Sequence, residues 1–362
     1  MQQGSLYNTL AAVAGASPGQ YRGAETIADF GDVEREFAAL RDGCGVFDLG
    51  WRSKFVVTGD DRVRWINGMV TNNIRDLELG HGAYCFLLNA QGRILGDLYC
   101  FNRGQYMLIE TDAAQAPHLR ELLERYIIMD DVKLTDISSR LVSIGLQGPR
   151  AAEVLREAGI AAAELQPLEV KDLAWNEIPL SLVRLDAPAT AFELWIPAEH
   201  AGAVWNALVG AGATPVGSSA YELMRIALGV PAYGQDITER YLPQETEQQR
   251  ALNFTKGCYV GQEIVERIRS RGLVHRQLTR FTIDGPAPTP RAKIHMGERE
   301  VGEITSAAEI PQAKGTETVA LGYLRREAFA APDLQVNGLN VRVSAETPQP
   351  SDLVGSSTKS HG

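Results

Sequence analysis

The feature that most constrains the fold is an order of strands and helices that is predicted twice along the chain of 362 residues. Each copy runs strand, helix, two or three strands, helix, strand, as hydrophobic periodicity and turn residues indicate. The first copy covers residues 54–137, and the second begins with a strand over 141–146. Because strands of this kind pair antiparallel and leave their helices on one face, the pattern predicts an α+β fold of duplicated split-βαβ (ferredoxin-like) units, not a doubly wound parallel sheet.

Beyond about residue 277 the chain changes to short strands separated by turns, and Asn337-Gly338 has the sequence of a hairpin turn. This pattern predicts a small all-β domain, a barrel or a sandwich. Residues after about 346 are rich in Pro, Ser, Gly and Lys, which is typical of disorder. The predicted divisions are a first α+β unit at 1–140, a second α+β unit at 141–270, a C-terminal β-barrel at 271–346 and a disordered tail at 347–362.

The charge balance is acidic, since 35 Lys and Arg against 45 Asp and Glu give a net charge of −10. An evenly acidic surface repels phosphate backbones, so non-specific nucleic-acid binding is not expected as the main role. No stretch approaches the roughly 18 apolar residues that a membrane span needs, and we expect no membrane contact. The apolar stretch at 10–16 lacks the preceding basic residues of a signal peptide and is predicted to be a short helix.

The four cysteines, Cys44, Cys85, Cys100 and Cys258, contain no C-x-x-C spacing, so neither a zinc ribbon nor a thioredoxin-type site is indicated. They are sparse for a disulfide framework, and reduced thiols in a cytoplasmic protein are expected. His81 and Cys85 have a loosely metal-like spacing, but no other ligand lies near them in sequence. We therefore expect no metal site.

The most informative motif is an eight-residue phrase, the signature loop, which consists of Lys256, Gly257, Cys258, Tyr259, Val260, Gly261, Gln262 and Glu263. Glycines permit unusual backbone angles and the close approach of a ligand. A thiol close to an ammonium can be reactive. The competing interpretation is a tight turn whose cysteine is a small apolar filler, and these residues alone leave both interpretations open.

Two carboxylates stand within strands that are otherwise apolar: Asp97, and Glu193 at the centre of a strong strand. A buried carboxylate is costly unless it is hydrogen-bonded. Simple alternation along a strand makes an exposed face the default interpretation for each. The functional interpretation is that the two converge and accept hydrogen bonds from N–H groups of a heterocyclic ligand.

A basic run follows the signature loop, with Arg267, Arg269 and Arg271 at alternate positions. In an extended chain these three side chains would share one face and could contact a phosphate or an RNA backbone. The alternative is a solvated segment that is paired with the acidic surplus of the protein.

The signature loop, with Arg267 and Gly272 after it and Leu242-Pro243-Gln244-Glu245 before it, resembles the signature of the folate-binding YgfZ family. That family is related to the aminomethyltransferase (T-protein) of the glycine cleavage system. Resemblance to the wider superfamily covers most of residues 35–325 and includes the phrases around Asp97, Glu193 and Arg225.

The resemblance implies two interlocked α+β domains around a central hole, a C-terminal β-barrel, and tetrahydrofolate or a one-carbon derivative bound in the hole. By position, Asp97 is similar to the catalytic aspartate of the T-protein, and Glu193 to the glutamate that holds the pterin ring. Arg225 is similar to an arginine of the T-protein motif, and its cationic side chain could meet the glutamate tail of folate.

The sequence departs from the T-protein where that enzyme has a shorter Asp-Phe/Tyr-Ile-Gly phrase, because a Gly-Cys pair stands here instead. This departure favours the YgfZ side, whose implied role is support of iron–sulfur enzymes, including those that thiolate tRNA. The implied partners are iron–sulfur enzymes or assembly proteins, with tRNA contact through Arg267, Arg269 and Arg271. Cys258 is then expected near the hole as a redox-active or transiently ligating thiol. The alternative is a folate-dependent aminomethyl or one-carbon transferase, in which Asp97 assists the reacting nitrogen.

Overall fold

The computed structural model describes residues 5–161, 164–272, 274–312 and 315–344, without the side chains of Ser5 and Arg271. The predicted disordered tail at 347–362 lies outside the described residues. Within those ranges, no helix combines the length and the apolar character that crossing a membrane requires.

The N-terminal segment precedes the first predicted unit and supplies elements to several parts of the molecule. Its elements are α1 (Ser5–Ala11), β1 (Ser17–Tyr21), β2 (Ala24–Asp29), α2 (Val33–Asp42) and β3 (Gly45–Asp48). Strands β1 and β2 form a hairpin of their own. Helix α2 begins where the Asp32 carboxylate accepts a hydrogen bond from the Arg35 backbone N–H at 3.0 Å, as an N-cap residue does.

A five-stranded antiparallel sheet with two helices on one face forms the first α+β unit. Its elements are β4 (Arg52–Thr58), α3 (Arg62–Met69), β5 (Gly82–Leu88), β6 (Ile94–Asn102), β7 (Met107–Asp112), α4 (Ala116–Arg125) and β8 (Lys133–Asp136). The strand order is β5-β6-β7-β4-β8. Apolar residues of both helices, such as Ile66 and Leu119, pack with Val57, Leu98 and Ile109 of the sheet in one core. The opposite face of this sheet is left to form the site.

The second sheet repeats this topology. Its unit contains β9 (Leu141–Gln147), α5 (Ala151–Glu157), β10 (Val170–Trp175), β11 (Ile178–Arg184), β12 (Ala191–Pro197), α6 (Ala201–Gly210) and β13 (Thr214–Pro215), and α7 (Ser218–Ala227) follows it. The strand order is β10-β11-β12-β9-β3-β13, the order of the first sheet with β3 inserted. Helices α5 and α6 cover one face, where Leu155 and Trp205 pack on Leu194. The duplicated α+β architecture is therefore confirmed.

Strand β3 joins the second sheet although it precedes the first sheet in the chain. It pairs antiparallel with β9 and parallel with β13, and all four of its residues are buried. The predicted division between 1–140 and 141–270 thus differs from the sheet pairing, because a strand from the first range completes the second sheet.

The C-terminal part is a closed six-stranded barrel, which decides between the barrel and the sandwich. Its strands are β14 (Arg276–Ile283), β15 (Lys293–Met296), β16 (Arg299–Pro311), β17 (Thr316–Arg325), β18 (Leu334–Val336) and β19 (Leu339–Val343). Asn337 and Gly338 connect β18 to β19 with φ of 51° and 79°, the left-handed angles that a two-residue hairpin turn needs.

The basic run is helical, which corrects the expectation of an extended segment. Helix α8 (Gln262–Arg271) is flanked by Gly261 and Gly272, both at φ 82°. Because successive residues turn by about 100° in an α-helix, the side chains of Arg267 and Arg269 point about 160° apart and do not share a face. The Arg269 guanidinium lies 4.6 Å from the ring centroid of Phe254, and the side chain of Arg271 lies outside the described part.

Candidate functional site

A central cavity lies between the two sheets, with a volume of about 1090 Å³ that includes its opening to solvent. The first sheet contributes Asp97 and Tyr99, and the second contributes Gln147 and Glu193. Helix α7, the β1–β2 hairpin, the connection between β11 and β12, and the segment that connects α7 to the signature loop also line it. The cavity is the hole that the family resemblance implies, and both predicted carboxylates lie on it.

Asp97 faces the cavity because of strand alternation in β6. Its neighbours Leu98 and Cys100 belong to the core under α3 and α4, so Asp97 points to the opposite face. The Tyr84 hydroxyl donates to Asp97 Oδ2 at 2.6 Å, and Gln115 Nε2 donates to Oδ1 at 2.6 Å. Burial, followed by the negative charge of Asp112, raises the pKa of the Asp97 carboxyl. The exposed-face interpretation is therefore wrong for Asp97, whose carboxylate has a fixed orientation.

Glu193 is buried, with 2% of its surface exposed. Its Oε1 accepts hydrogen bonds from Ser143 Oγ at 2.5 Å, Trp195 Nε1 at 2.7 Å and Lys54 Nζ at 3.2 Å. Burial raises the pKa of the Glu193 carboxyl to about 7, and the neighbouring charge of Glu110 acts in the same direction. The exposed-face interpretation is wrong here too, and Glu193 can hold a proton near neutral pH.

A ladder of alternating charges connects the carboxylates of the two sheets, and sequence reasoning missed it. Register places Arg52 opposite Asp112 and Lys54 opposite Glu110 on β4 and β7. Arg52 donates to Asp112 at 2.6 Å, and the fully buried Lys54 donates to Glu110 at 2.7 Å and to Glu193. Burial raises the pKa of Glu110, but Lys54 and Arg52 outweigh this effect and lower it. The sequence did contain a signal for this ladder. Two cations stand two residues apart in one strand, and two anions stand two residues apart in another strand.

Two buried donors at the cavity have no hydrogen-bond partner among the described residues: Gln147 Nε2 and Trp51 Nε1. Gln147 is 7% exposed and Trp51 is 1% exposed. An unpaired buried donor costs about 1–3 kcal/mol. A ligand in the cavity that offers acceptor atoms would satisfy these donors, so the cavity presents both acceptors (the carboxylates) and donors.

Arg225 lines the cavity, yet its guanidinium is engaged within the protein. It donates to Glu222, to Asp236 at 2.6 Å, to the Val230 carbonyl at 2.7 Å and to Ser306 at 3.1 Å. A second bond to Glu222 brings the total to five, which is the full donor capacity of an arginine. Arg225 therefore ties α7 to the connecting segment and the barrel, and its predicted contact with a folate tail would require one of these bonds to break.

The signature loop docks on the first sheet, not on the cavity lining. Lys256 Nζ donates to the backbone carbonyls of Asn67, Val70 and Asn72 at 2.5–2.7 Å, at the C-terminal end of α3. Burial lowers the pKa of Lys256 to about 8. The ammonium is thus turned into the protein, and it does not serve the thiol as the spacing suggested.

The remaining signature residues divide between packing and exposure. Tyr259 packs with Phe86 and Leu88, and a Cβ at Gly261 would lie 2.5 Å from the Asn89 carbonyl oxygen. Gln262 and Glu263 begin α8, so this end of the phrase is helical. Cys258 is exposed and, among the residues described, does not line the cavity, so the expected proximity of its thiol to the hole is not found.

Comparison with known proteins gives the family. A model described as the GCVT N-terminal domain matches residues 8–256, which is more than half of the chain. The chain belongs to the GCVT family. A second model, described as the CAF17 C-terminal beta-barrel domain, matches residues 275–351.

Similar proteins include the aminomethyltransferase of Bacillus cytotoxicus, 24% identical over 348 residues and 93% of each chain. That of Thermus thermophilus is 28% identical over 317 residues, which cover 84% of this chain and 86% of the relative. The crystal structure of the glycine cleavage system aminomethyltransferase T from Bartonella henselae superposes with a TM-score of 0.84 at 23% identity, over 94% of this chain and 96% of that one. At that identity the likeness shows the shared fold.

Membership of the GCVT family confirms the predicted relation to the T-protein superfamily. The fold prediction is confirmed as well, with its α+β units and its closed C-terminal barrel. The cavity lined by Asp97 and Glu193 lies between the two units, whereas the exposed Gly257-Cys258 pair lies beside the first sheet.

Proposed function

We propose that the protein binds a reduced folate, tetrahydrofolate or a one-carbon derivative, in the central cavity. The observation that carries this proposal is the convergence of Asp97 and Glu193, from different sheets, on one cavity that also holds the unpaired donors of Gln147 and Trp51. A reduced pteridine carries amino and ring N–H donors together with a carbonyl acceptor. Carboxylates accept strongly from such donors, and the unpaired donors suit the acceptor.

Calorimetry with tetrahydrofolate under anaerobic conditions tests this proposal. The variant Asp97→Ala with Glu193→Ala should lose at least about tenfold in affinity, since hydrogen bonds to charged groups contribute about 1.5–3 kcal/mol each. Asp333→Asn, which changes an exposed carboxylate at the barrel, is the matched control and should bind as the wild type does. Equal affinities for the wild type and the double variant would refute the proposed site.

We further propose that the folate-loaded protein supports the assembly or repair of iron–sulfur clusters in client enzymes, including those that modify tRNA. The Gly257-Cys258 pair supports this role, because its exposed thiol is accessible to a macromolecule while the cavity holds a ligand. The C-terminal barrel, moreover, matches a model that is named for CAF17 and not for the T-protein. Cys258→Ser should lower the activities of cellular iron–sulfur enzymes and leave folate affinity unchanged. Unchanged enzyme activities would exclude the thiol from that role.

The second candidate function is aminomethyl or other one-carbon transfer. It is favoured by the curated aminomethyltransferases that align with 93% of the chain. In that reaction Asp97 would orient or polarise the reacting nitrogen of the folate. Incubation with tetrahydrofolate and an aminomethyl donor distinguishes the two candidates, because a folate-binding accessory protein forms no methylene-tetrahydrofolate, whereas a transferase does so and loses the activity in Asp97→Asn.

A further inference from the structure

Arg250 occupies a distinct position at the rim of the cavity. It lies in a single 3-10 turn, Gln249–Ala251, within the segment that connects α7 to the signature loop. Its guanidinium carbon is 4.7 Å from the ring centroid of Tyr84, the residue whose hydroxyl binds Asp97. The side chain remains 31% exposed. A partly exposed cation is thus held on the aromatic ring whose hydroxyl binds the carboxylate assigned to the pteridine.

The arginines that line the cavity differ in what neutralises them. Arg22 and Arg52 are paired with the buried carboxylate of Asp112, and Arg52 also pairs with Glu110. Arg225 is paired with the fully buried Asp236. Opening any of these pairs would weaken the compensation of a buried carboxylate, Asp112, Glu110 or Asp236, which is costly.

Arg250 is different, because its carboxylate partner is itself accessible. Its guanidinium donates to the carbonyl oxygen of Asp186 at 2.6 Å and to the carboxylate at 2.9 Å. Asp186 has a side chain that is 37% exposed, and it stands in the connection between β11 and β12. Water can solvate the Asp186 carboxylate as soon as the pair opens, so exchange of this anion for another leaves no buried charge.

We propose that Arg250 is the anion-recognition residue of the cavity, and that it exchanges Asp186 for a carboxylate of the bound ligand. This inference rests on the proposed function and deepens it, because it names the residue that distinguishes reduced folates, which carry a glutamate carboxylate, from reduced pterins without one. A guanidinium can bind a carboxylate through two parallel hydrogen bonds. The connection between β11 and β12, which carries Asp186, then lies beside the ligand tail.

Two probes and three variants test this assignment by calorimetry: tetrahydrofolate, and 6-methyltetrahydropterin, which has no carboxylate. Arg250→Gln should weaken tetrahydrofolate binding about tenfold, the loss of one charge-assisted contact, and leave 6-methyltetrahydropterin binding unchanged. Asp186→Asn should tighten tetrahydrofolate binding, because it removes the competing internal anion. Arg269→Gln removes another exposed arginine that lies on an aromatic ring, away from the cavity lining, and is the matched control.

The outcomes separate this inference from the proposed function. If the wild type binds neither probe, the proposed function and the inference both fail. If the wild type binds tetrahydrofolate and Arg250→Gln binds it equally well, only the inference fails. A parallel loss of both probes in Arg250→Gln, or weaker tetrahydrofolate binding in Asp186→Asn, would show that the ion pair merely shapes the cavity. The Asp186 variant also keeps the test valid if Arg250→Gln folds poorly.

Discussion

Replacing Lys54 by Met removes the ammonium that bridges the two sheets and keeps a linear side chain in its place. Lys54 is fully buried, and its Nζ lies 2.7 Å from Glu110 Oε1 and 3.2 Å from Glu193 Oε1. The substitution leaves both carboxylates without this partner. Removing one member of a buried ion pair costs about 3–5 kcal/mol, and we expect Lys54→Met to lose that much stability at pH 8.

The loss should depend on pH, with a sign that follows from the linkage of protonation and folding. In the wild type, the lowered pKa of Glu110 means that its contribution to stability is present above the unfolded-state pKa and is lost as the pH falls through the folded-state pKa. Without the ammonium, the attraction that lowers the pKa of Glu110 and that opposes the burial-raised pKa of Glu193 is lost, so ionisation of these two buried carboxyls costs more in the folded variant. The variant's deficit should therefore be at least about 1 kcal/mol smaller at pH 5.5 than at pH 8.

Urea unfolding followed by tryptophan fluorescence measures this difference, because the Trp195 ring lies 5.5 Å from Lys54 Nζ and its Nε1 donates to Glu193. Lys133→Met, an exposed lysine on β8 of the same sheet, is the control and should change stability by no more than about 0.5 kcal/mol. A deficit below about 1 kcal/mol at pH 8, as for a surface ion pair, would refute the reasoning. A deficit that is the same at both pH values would also refute it.

Two further predictions concern the elements that hold the site together. Gly261→Ala should destabilise the protein by about 1–3 kcal/mol in thermal unfolding, because φ is 82° and the new Cβ would meet the Asn89 carbonyl. Gly257→Ala is the control and should be close to neutral, since a Cβ there meets no other atom within 4 Å. Equal losses of stability in the two variants would contradict this account. Arg225→Met should lower the free energy of unfolding by about 3–5 kcal/mol, because it leaves Asp236 buried without its cation. The double variant Arg225→Met with Asp236→Asn should recover part of this stability in the same measurement. If it recovers none, the loss comes from packing and not from the unpaired charge.

The repeated element order was readable from the sequence because it depends on local periodicity. The two-residue turn at Asn337 and the helices with apolar residues at helical spacing are of this kind. Strand β3 was not readable in the same way, since Gly45–Asp48 is only four residues long and its partners in β9 and β13 lie about a hundred residues or more away. The local sequence does not distinguish such a short strand from a loop, and only its pairing with distant strands assigns it to the second sheet.

The orientation of the carboxylates shows the same limit. Alternation in β6 and β12 correctly separates Asp97 and Glu193 from the helix-packed faces, but it cannot state what covers the other face. In this protein each sheet covers that face of the other, so the side chains that alternation predicts to be exposed line a cavity instead. The prediction of an extended basic run was wrong for a different reason. Ile264 and Ile268 are four residues apart between two glycines, which indicates a helix, but the interpretation followed the alternating arginines instead.

The charge ladder makes the site depend on the docking of the two units. Glu110 belongs to the first sheet and Glu193 to the second, and Lys54 holds both. Replacing these groups with apolar residues would often be neutral for stability, but it would remove the acceptor that Glu193 presents and the cation that fixes its direction. A shift between the sheets would lengthen the Lys54–Glu193 contact and displace Glu193 relative to Asp97. The ladder therefore fixes the distance between the two carboxylates that face the ligand, because it connects the two units that carry them. A variant that weakens the ladder should lose ligand affinity under conditions in which it is still folded.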